Sequence, residues 1–274
     1  MSKNLNKTAE KVTLGLFRLS SDRARRFLWS SSGIIILILG WEYGALNGYL
    51  PARYTSMPSS IVNTAWRMWA SGTLFNDVVT TMKELSIGLS LAIVLAVPLG
   101  LLAGWYRRLQ YAVEPYLAAL YATPSLALLP LLVLWFGIGI PSTTALVVIS
   151  SFFPIAINVL YGVKTVDITI IKMARSFNAR QSRIFYSVIL PACVPFLASG
   201  LQLGVARGLI GVIVGEMYAA TDGGLGYIIS VAGSTGAVDQ MFVAVTVITA
   251  LGIALMTATD ILERHFQRWK VSAL

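Results

Sequence analysis

The sequence is poor in the residues from which metal sites and catalytic centres are built, with one cysteine, Cys193, and one histidine, His265. A disulfide framework and a multi-ligand Cys/His metal centre are thereby excluded, because each needs several such residues. Charge is scarce too: 12% of the 274 residues are ionic, against about 25% in an average soluble domain. No Gly-x-x-x-x-Gly-Lys-Ser/Thr loop occurs, so the chain has no such route to binding and hydrolysing ATP. A Ser-His-Asp or Cys-His set is excluded by the position of His265 near the C-terminus, and paired carboxylates are not expected inside the apolar segments. Internal repeats, low-complexity tracts and a soluble domain are also missing.

What is abundant is apolar surface, with 56% hydrophobic residues and a mean hydropathy of +0.74. Such a chain is an all-α integral membrane protein. Its length leaves room for about six spans of roughly 20 residues, each crossing roughly 30 Å of hydrocarbon. The apolar segments predict spans near 27–50, 77–104, 114–137, 143–162, 192–217 and 241–262. The first lacks a small-x-small cleavage site and is too long for a signal-peptide core, so it is expected to stay as an uncleaved span with Glu42 near its far end. Between the first two spans, Pro58, Ser59 and Ser60 start a helix with Ile61, Val62, Ala65, Trp66 and Trp69 on one face. It is expected to lie flat on the outer interface, either touching a periplasmic partner or simply anchoring in lipid. The third span carries Pro115, Pro124 and Pro130, each without a backbone donor, and is expected inside the bundle rather than facing lipid. Five glycines of the fifth, Gly200, Gly204, Gly208, Gly211 and Gly215, fall on one line of a helix and allow another helix to approach closely. Gly223, Gly224 and Gly226 fit an outer loop; no Lys-Ser/Thr follows them, which argues against a phosphate site.

The formal charge of +9 is distributed unevenly. All but four of the 21 Lys and Arg, the exceptions being Arg53, Arg67, Lys83 and Arg207, fall in the tail at 1–26, the 105–113 and 163–187 loops and the C-terminus. Both termini are then cytoplasmic by the positive-inside rule, and the basic character needs no nucleic acid partner. The chain divides into a basic cytoplasmic tail, 1–26, and a transmembrane domain, 27–274, whose 163–187 loop stands out as basic and amphipathic.

In that loop Ile170, Met173, Ala174 and Phe177 share one helical face, opposite Thr169, Lys172, Arg175 and Ser176. Asp167 can cap the start of this short helix, and Asn178, which tolerates positive φ, can end it. A second helical segment is expected from Arg180 into Leu190 and Pro191.

The stretch KMARSFNARQSRIFYSVILP at 172–191 resembles the cytoplasmic Glu-Ala-Ala loop of permease subunits of binding-protein-dependent ABC importers. Lys172, Met173 and Ala174 stand in the Glu-Ala-Ala places, Asn178 in the Gly place, Val188 in the Ile place, and Leu190-Pro191 close the motif. Lys172 reverses the charge of the family's Glu, whereas Asn178 keeps the backbone requirement of its Gly. The block PSLALLP at 124–130 followed by LWFGIG at 134–139 resembles the sulfonate, taurine and nitrate branch, as does the stretch from Glu216 to Tyr227.

The resemblance implies the type I importer permease arrangement in a bacterial inner membrane. It also implies two ATP-binding subunits gripping the coupling loops, a periplasmic substrate-binding protein and a second permease chain, with a homodimer as the simplest case. ATP is then bound by the partner, and the chain needs no cofactor and is not itself an enzyme. Ile170, Met173, Ala174, Phe177 and Asn178 become the ATPase-coupling residues; the alternative is that their face lies on the membrane or on neighbouring spans. The substrate class implied is a small organic or inorganic anion such as a sulfonate, taurine or nitrate. The other classes weighed are a secondary transporter, which would show internal repeats, and a membrane enzyme, which would need convergent polar residues.

Arg207 and Glu216 are the charges of the fifth span. Intramembrane charge usually faces water or a partner, which points to the translocation pathway or its gate. The plainer alternative has Glu216 snorkelling to the outer surface and Arg207 tying two spans together. Nine residues of regular helix put them about 13.5 Å apart, so they are not expected to pair.

Overall fold

The computed structural model describes residue 29 and residues 32–220 and 223–267. The basic tail at 1–26 and the C-terminal Arg268 and Lys270 lie outside the described residues. Among those described, every regular element is helical, and contacts divide the chain into two units, residues 1–63 and 64–274.

In the first unit, helix α1 (Ser32–Leu46) is apolar but shorter than the roughly 20 residues of a full span. Residues Ile34 to Leu39 are all exposed, as a lipid-facing helix requires. A short turn of helix, α2 (Ala52–Thr55), follows, and then α3 (Pro58–Ala70) begins. Glu42 accepts hydrogen bonds from the Ser59 N–H (3.1 Å) and hydroxyl (2.7 Å). It therefore serves the start of α3, where orphan N–H groups and the helix dipole favour a carboxylate, rather than simply facing water.

The second unit is built on four long helices: α4 (Thr73–Trp105), α7 (Ile140–Lys164), α10 (Leu190–Ala219) and α12 (Val238–Gln267). Helix α7 is the central one, with 61% of its apolar window buried against 28% or less in the other long helices. The reason lies in glycine. A Cβ on Gly88, Gly100 or Gly104 of α4 would lie within 2.7 Å of α7 atoms, and one on Gly204, Gly208 or Gly215 of α10 would do the same from the other side. The glycine line expected to receive a helix thus receives α7, and α4 presents a second such line. Ser151 of α7 adds a hydrogen bond to the Gly204 carbonyl (2.8 Å). Apolar packing fills the remainder, with Ala92, Ala96, Ala103, Leu117, Ile155, Ala156, Val159 and Leu160 in one cluster. Helix α12 is tied to α10 by polar pairs, Gln202 donating to Asp260 and Ser199 to Glu263.

The third span departs from expectation. It is not one helix inside the bundle but α5 (Arg107–Ala122), a 3₁₀ turn (Ser125–Leu128) and α6 (Leu129–Phe136), bent by 88° between its two halves. Thr123, held extended by the proline that follows (φ −72°, ψ 131°), ends α5. Pro124 then has no N–H to continue the helix, whereas Pro130 sits in the first turn of α6, where none is needed. Of these two helices only Leu117, Leu129 and Leu132 are buried; Tyr116, Leu134, Trp135 and Phe136 are exposed. The fifth span also differs: the helical run is continuous from Gln181 to Ala219 over 39 residues, through α9 (Gln181–Ile184), a π-turn (Phe185–Ile189) and α10. The π-turn accommodates Pro191, which sits in the first turn of α10 and so does not stop the chain. The expected outer loop, finally, contains a helix, α11 (Leu225–Thr235), entered through Gly223 (φ 120°) and Gly224 (φ 114°).

Close approach at α7 is testable at Gly100, whose added Cβ would lie 2.7 Å from the Ala156 carbonyl oxygen, a backbone atom that cannot rotate away. Gly100→Ala is expected to destabilise the purified protein by about 1–3 kcal/mol, an overpacking cost. Gly233→Ala meets nothing within 4 Å and should be neutral or slightly stabilising. Thermal unfolding in detergent distinguishes the two, and equal melting temperatures would refute the close packing.

Candidate functional site

Three places carry the polar chemistry of the chain. The first is the basic loop after α7. There α8 (Ile168–Ser176) starts at Asp167, whose carboxylate accepts from the Thr169 N–H (2.7 Å). That bond holds the Asp167 carboxyl below the usual carboxylate range. At the other end Asn178 has φ 56°, the Asn178 N–H donates to the Arg175 carbonyl (2.9 Å), and the Ala179 N–H donates to the Ala174 carbonyl (3.1 Å). This is a Schellman closure with Asn in the left-handed place that glycine usually fills. Ile171 packs inward with Val163, Ile189 and Cys193. Ile170, Met173 and Phe177 point outward instead, Phe177 with 82% of its surface exposed, and Ala174 is half-buried between the two faces. Among the described residues no neighbouring span covers the outward face.

The second place was not anticipated. Three side chains catch the first backbone N–H groups of α11. Asp77 accepts from Gly224 (2.8 Å), Thr81 from Leu225 (3.0 Å) and Glu216 from Gly226 (2.7 Å). Helix starts have orphan donors and a positive dipole end, so two carboxylates and a hydroxyl there form a latch joining α4, α10 and α11. Glycine is required at the turn, since a Cβ on Gly224 would lie 2.5 Å from the Glu216 carboxyl carbon. Glu216 is 1% exposed, which rules out the alternative that it snorkels to the outer surface. Glu84 of α4 is also buried, 2% exposed. Asp77 and Glu216 meet at the start of α11, so two carboxylates do come together between the spans, contrary to expectation. The overlooked signal was spacing, because Asp77, Thr81 and Glu84 recur at i, i+4 and i+7 on one face of α4. Glu84 Oε2, Thr144 Oγ1 and the second oxygen of Glu216, Oε1, remain buried without a hydrogen-bond partner among the described residues.

The third place is Arg207, exposed on α10, which does not pair with Glu216 and has no ion-pair partner among the described residues. It lines a cavity of about 320 Å³ at the bend of the broken span, together with Tyr121, Thr123, Ser125 and Ser150. Ser150 donates to Ser125 across this cavity (3.1 Å). The two charges of the fifth span, which were not expected to pair, are in different settings, Glu216 in a latch and Arg207 at an accessible cavity.

Comparison with known sequences places this arrangement. The profile of the family described as "Binding-protein-dependent transport system inner membrane component" matches residues 96–271. The chain is 28% identical over 250 residues to the putative aliphatic sulfonates transport permease protein SsuC of Bacillus subtilis, covering 90% of each. It is 30% identical to the taurine transport system permease protein TauC of Escherichia coli, covering 86% of each chain. To the riboflavin transport system permease protein RibX of Chloroflexus aurantiacus it is 31% identical, over 90% of this chain and 94% of that protein. The fold is similar to that of a chain of the MetNI methionine ABC transporter in an inward-facing conformation, with a TM-score of 0.64, 20% identity, and 73% of this chain and 97% of that one covered.

Loss of the latch should be local and visible. Glu216→Ala leaves the Gly226 N–H buried without an acceptor, costing about 1–3 kcal/mol of local stability, or roughly a five- to hundredfold faster amide exchange at the start of α11. Hydrogen–deuterium exchange of the peptide that contains Gly224 to Ile228 checks it, and unchanged exchange would remove the latch.

Proposed function

From the premise that the chain belongs to the inner membrane components of binding-protein-dependent transport systems, as a multi-pass permease subunit of an ABC importer, we propose that it moves a small anion inward as a homodimer. Family membership makes it a transporter and not an enzyme, with an ATP-binding subunit and a substrate-binding protein as its general partners. In the proposed assembly two permease chains meet two ATPase subunits, ATP is bound only by those subunits, and the tail at 1–26 and the C-terminus are cytoplasmic. The positive-inside distribution of Lys and Arg supports that orientation.

The observation that carries the ATP-driven part is the outward apolar face of α8. Ile170, Met173 and Phe177 are exposed in a helix whose two ends are both fixed, by Asp167 and by Asn178. A rigid, capped helix with an apolar outer face is suited to sit in a groove of the ATPase, with Ala174 at its edge and Asn178 setting the turn. Closure of the motor on ATP would then move α8, and the bundle would alternate between inward and outward access.

The observation that carries the anionic substrate is Arg207, a cation without a carboxylate partner among the described residues, at a cavity beside the broken span. Relatives named for aliphatic sulfonates and taurine agree with an anion, and one named for riboflavin marks the range of the family. Glu216, held in the latch between the fifth span and α11, would belong to the gate rather than to the substrate path.

Two outcomes are expected. Phe177→Asp, at a site already exposed and so harmless to the fold, should abolish co-purification with the ATPase, because a docked carboxylate would be buried without a partner at a cost of several kcal/mol. Normal assembly and ATP-driven uptake by that variant would refute docking through α8. Arg207→Gln, in vesicles with the ATPase and binding protein present, should raise the KM for taurine or ethanesulfonate uptake about tenfold or more while assembly stays normal; unchanged uptake across substrate concentrations would remove Arg207 from the pathway.

A further inference from the structure

A groove of about 510 Å³ separates the end of α4 and the start of α5 from α8 and the start of the long helical run. Its lining includes Arg107, Lys164 and Arg175, with the amides of Gln110 and Gln181 and the ring of Trp105. Three cations in one groove repel one another unless an anion joins them. Glu114 supplies one negative charge, pairing with Lys164 (3.1 Å). Asp167 is turned to a separate cavity beside Val188 and Pro191 and is already engaged by Thr169. Arg107 is held by Tyr111, whose hydroxyl accepts from its Nε (2.8 Å), and Arg175 has no acidic partner among the described residues. Helix α5, 16 residues long, begins at Tyr106 without a side-chain cap, and Tyr106 and Arg107 at that start line the same groove.

The rim is as informative as the floor. Tyr106 and Ile168 line the groove and are 56% and 59% exposed, and Trp105 beside them marks the depth at which aromatic side chains settle between hydrocarbon and water. A free anion would use the basic floor and leave the apolar rim bare, whereas a phospholipid uses both. We propose that this groove binds the phosphate headgroup of an anionic phospholipid of the inner leaflet, placing a lipid between the α4–α5 turn and the coupling helix. The assignment to the inner leaflet rests on the orientation proposed above. A lipid so placed bridges Arg107, on the bundle, to Arg175, on α8, and its loss frees α8 from that side.

The test uses the full permease assembled with its ATPase, stripped of lipid in detergent and then titrated with phosphatidylglycerol or phosphatidylcholine while bound lipid is counted by native mass spectrometry. The unaltered protein should retain phosphatidylglycerol selectively, and Arg107→Gln with Arg175→Gln should weaken that retention about tenfold. Arg108→Gln, an exposed cation outside the groove, should leave it unchanged. A parallel arm adds inorganic phosphate. Failure of phosphate to displace the lipid supports the lipid assignment, and displacement at low millimolar concentration overturns it in favour of a free anion. Equal retention by the double variant and the unaltered protein overturns the site altogether. Assembly with the ATPase is read in the same spectra, so a failure of the importer assignment would appear separately as permease without its motor.

Discussion

Everything in the second unit depends on how closely α7 is held between α4 and α10. In lipid the hydrophobic effect does not drive helices together, because the surrounding tails are as apolar as the side chains. What remains is contact and hydrogen bonding at short range, and both need small residues. Gly88, Gly100 and Gly104 on one side and Gly200, Gly204, Gly208, Gly211 and Gly215 on the other bring two backbones against α7 along its length. At this distance the Ser151 hydroxyl reaches the Gly204 carbonyl. Larger residues would push the helices apart and remove the dispersion contacts that replace the hydrophobic effect here.

The same tight bundle makes the buried polar groups possible. A carboxylate inside a membrane protein is tolerable only where donors surround it. Asp77 Oδ1 and Glu216 Oε2 meet that condition by taking N–H groups that the start of α11 would otherwise leave unpaired, whereas Glu216 Oε1 has no partner among the described residues. The exchange satisfies both sides: α11 gains a cap that its own Gly224 cannot provide, and the spans gain a partner for their acidic side chains. Gly223 and Gly224 give the turn its positive φ and its room.

Much of this was legible in the residues, and the rest was hidden for identifiable reasons. The all-α membrane class followed from composition, the ends of α8 from Asp167 and Asn178, and the packing role of the glycine line from its spacing. Which helix the line would meet could not be read, because a stripe of small residues does not name its partner. The broken third span was hidden because all three of its prolines interrupt a helix in principle, yet Pro115 is accommodated within α5 and Pro130 starts α6, leaving Pro124 to make the bend. The π-turn before Pro191 concealed the continuity of the fifth span, since a proline after a polar loop reads as a boundary. The latch was hidden because Asp77 stands at the start of an apolar run and Glu84 within it, although their spacing with Thr81 sets all three on one face of α4.

One consequence joins the sites mechanically. The helical run Gln181–Ala219 begins three residues after Asn178, at the turn that closes α8, and carries Glu216 near its far end. At about 1.5 Å per residue its 39 residues extend about 58 Å, longer than the hydrocarbon is thick. One continuous helix therefore connects the outward face of α8 with the latch on α11, and along the way it passes Arg207 at its cavity and the glycine line against α7. A displacement applied at α8 has few places to dissipate, because the π-turn at Phe185–Ile189 and the missing N–H of Pro195 are the interruptions of the regular α-helical pattern within the run. Beyond that turn α10 is pinned against α7 by close backbone contact. It can slide or rotate along the glycine line more easily than it can bend, since either motion keeps the backbones in contact while bending would separate them.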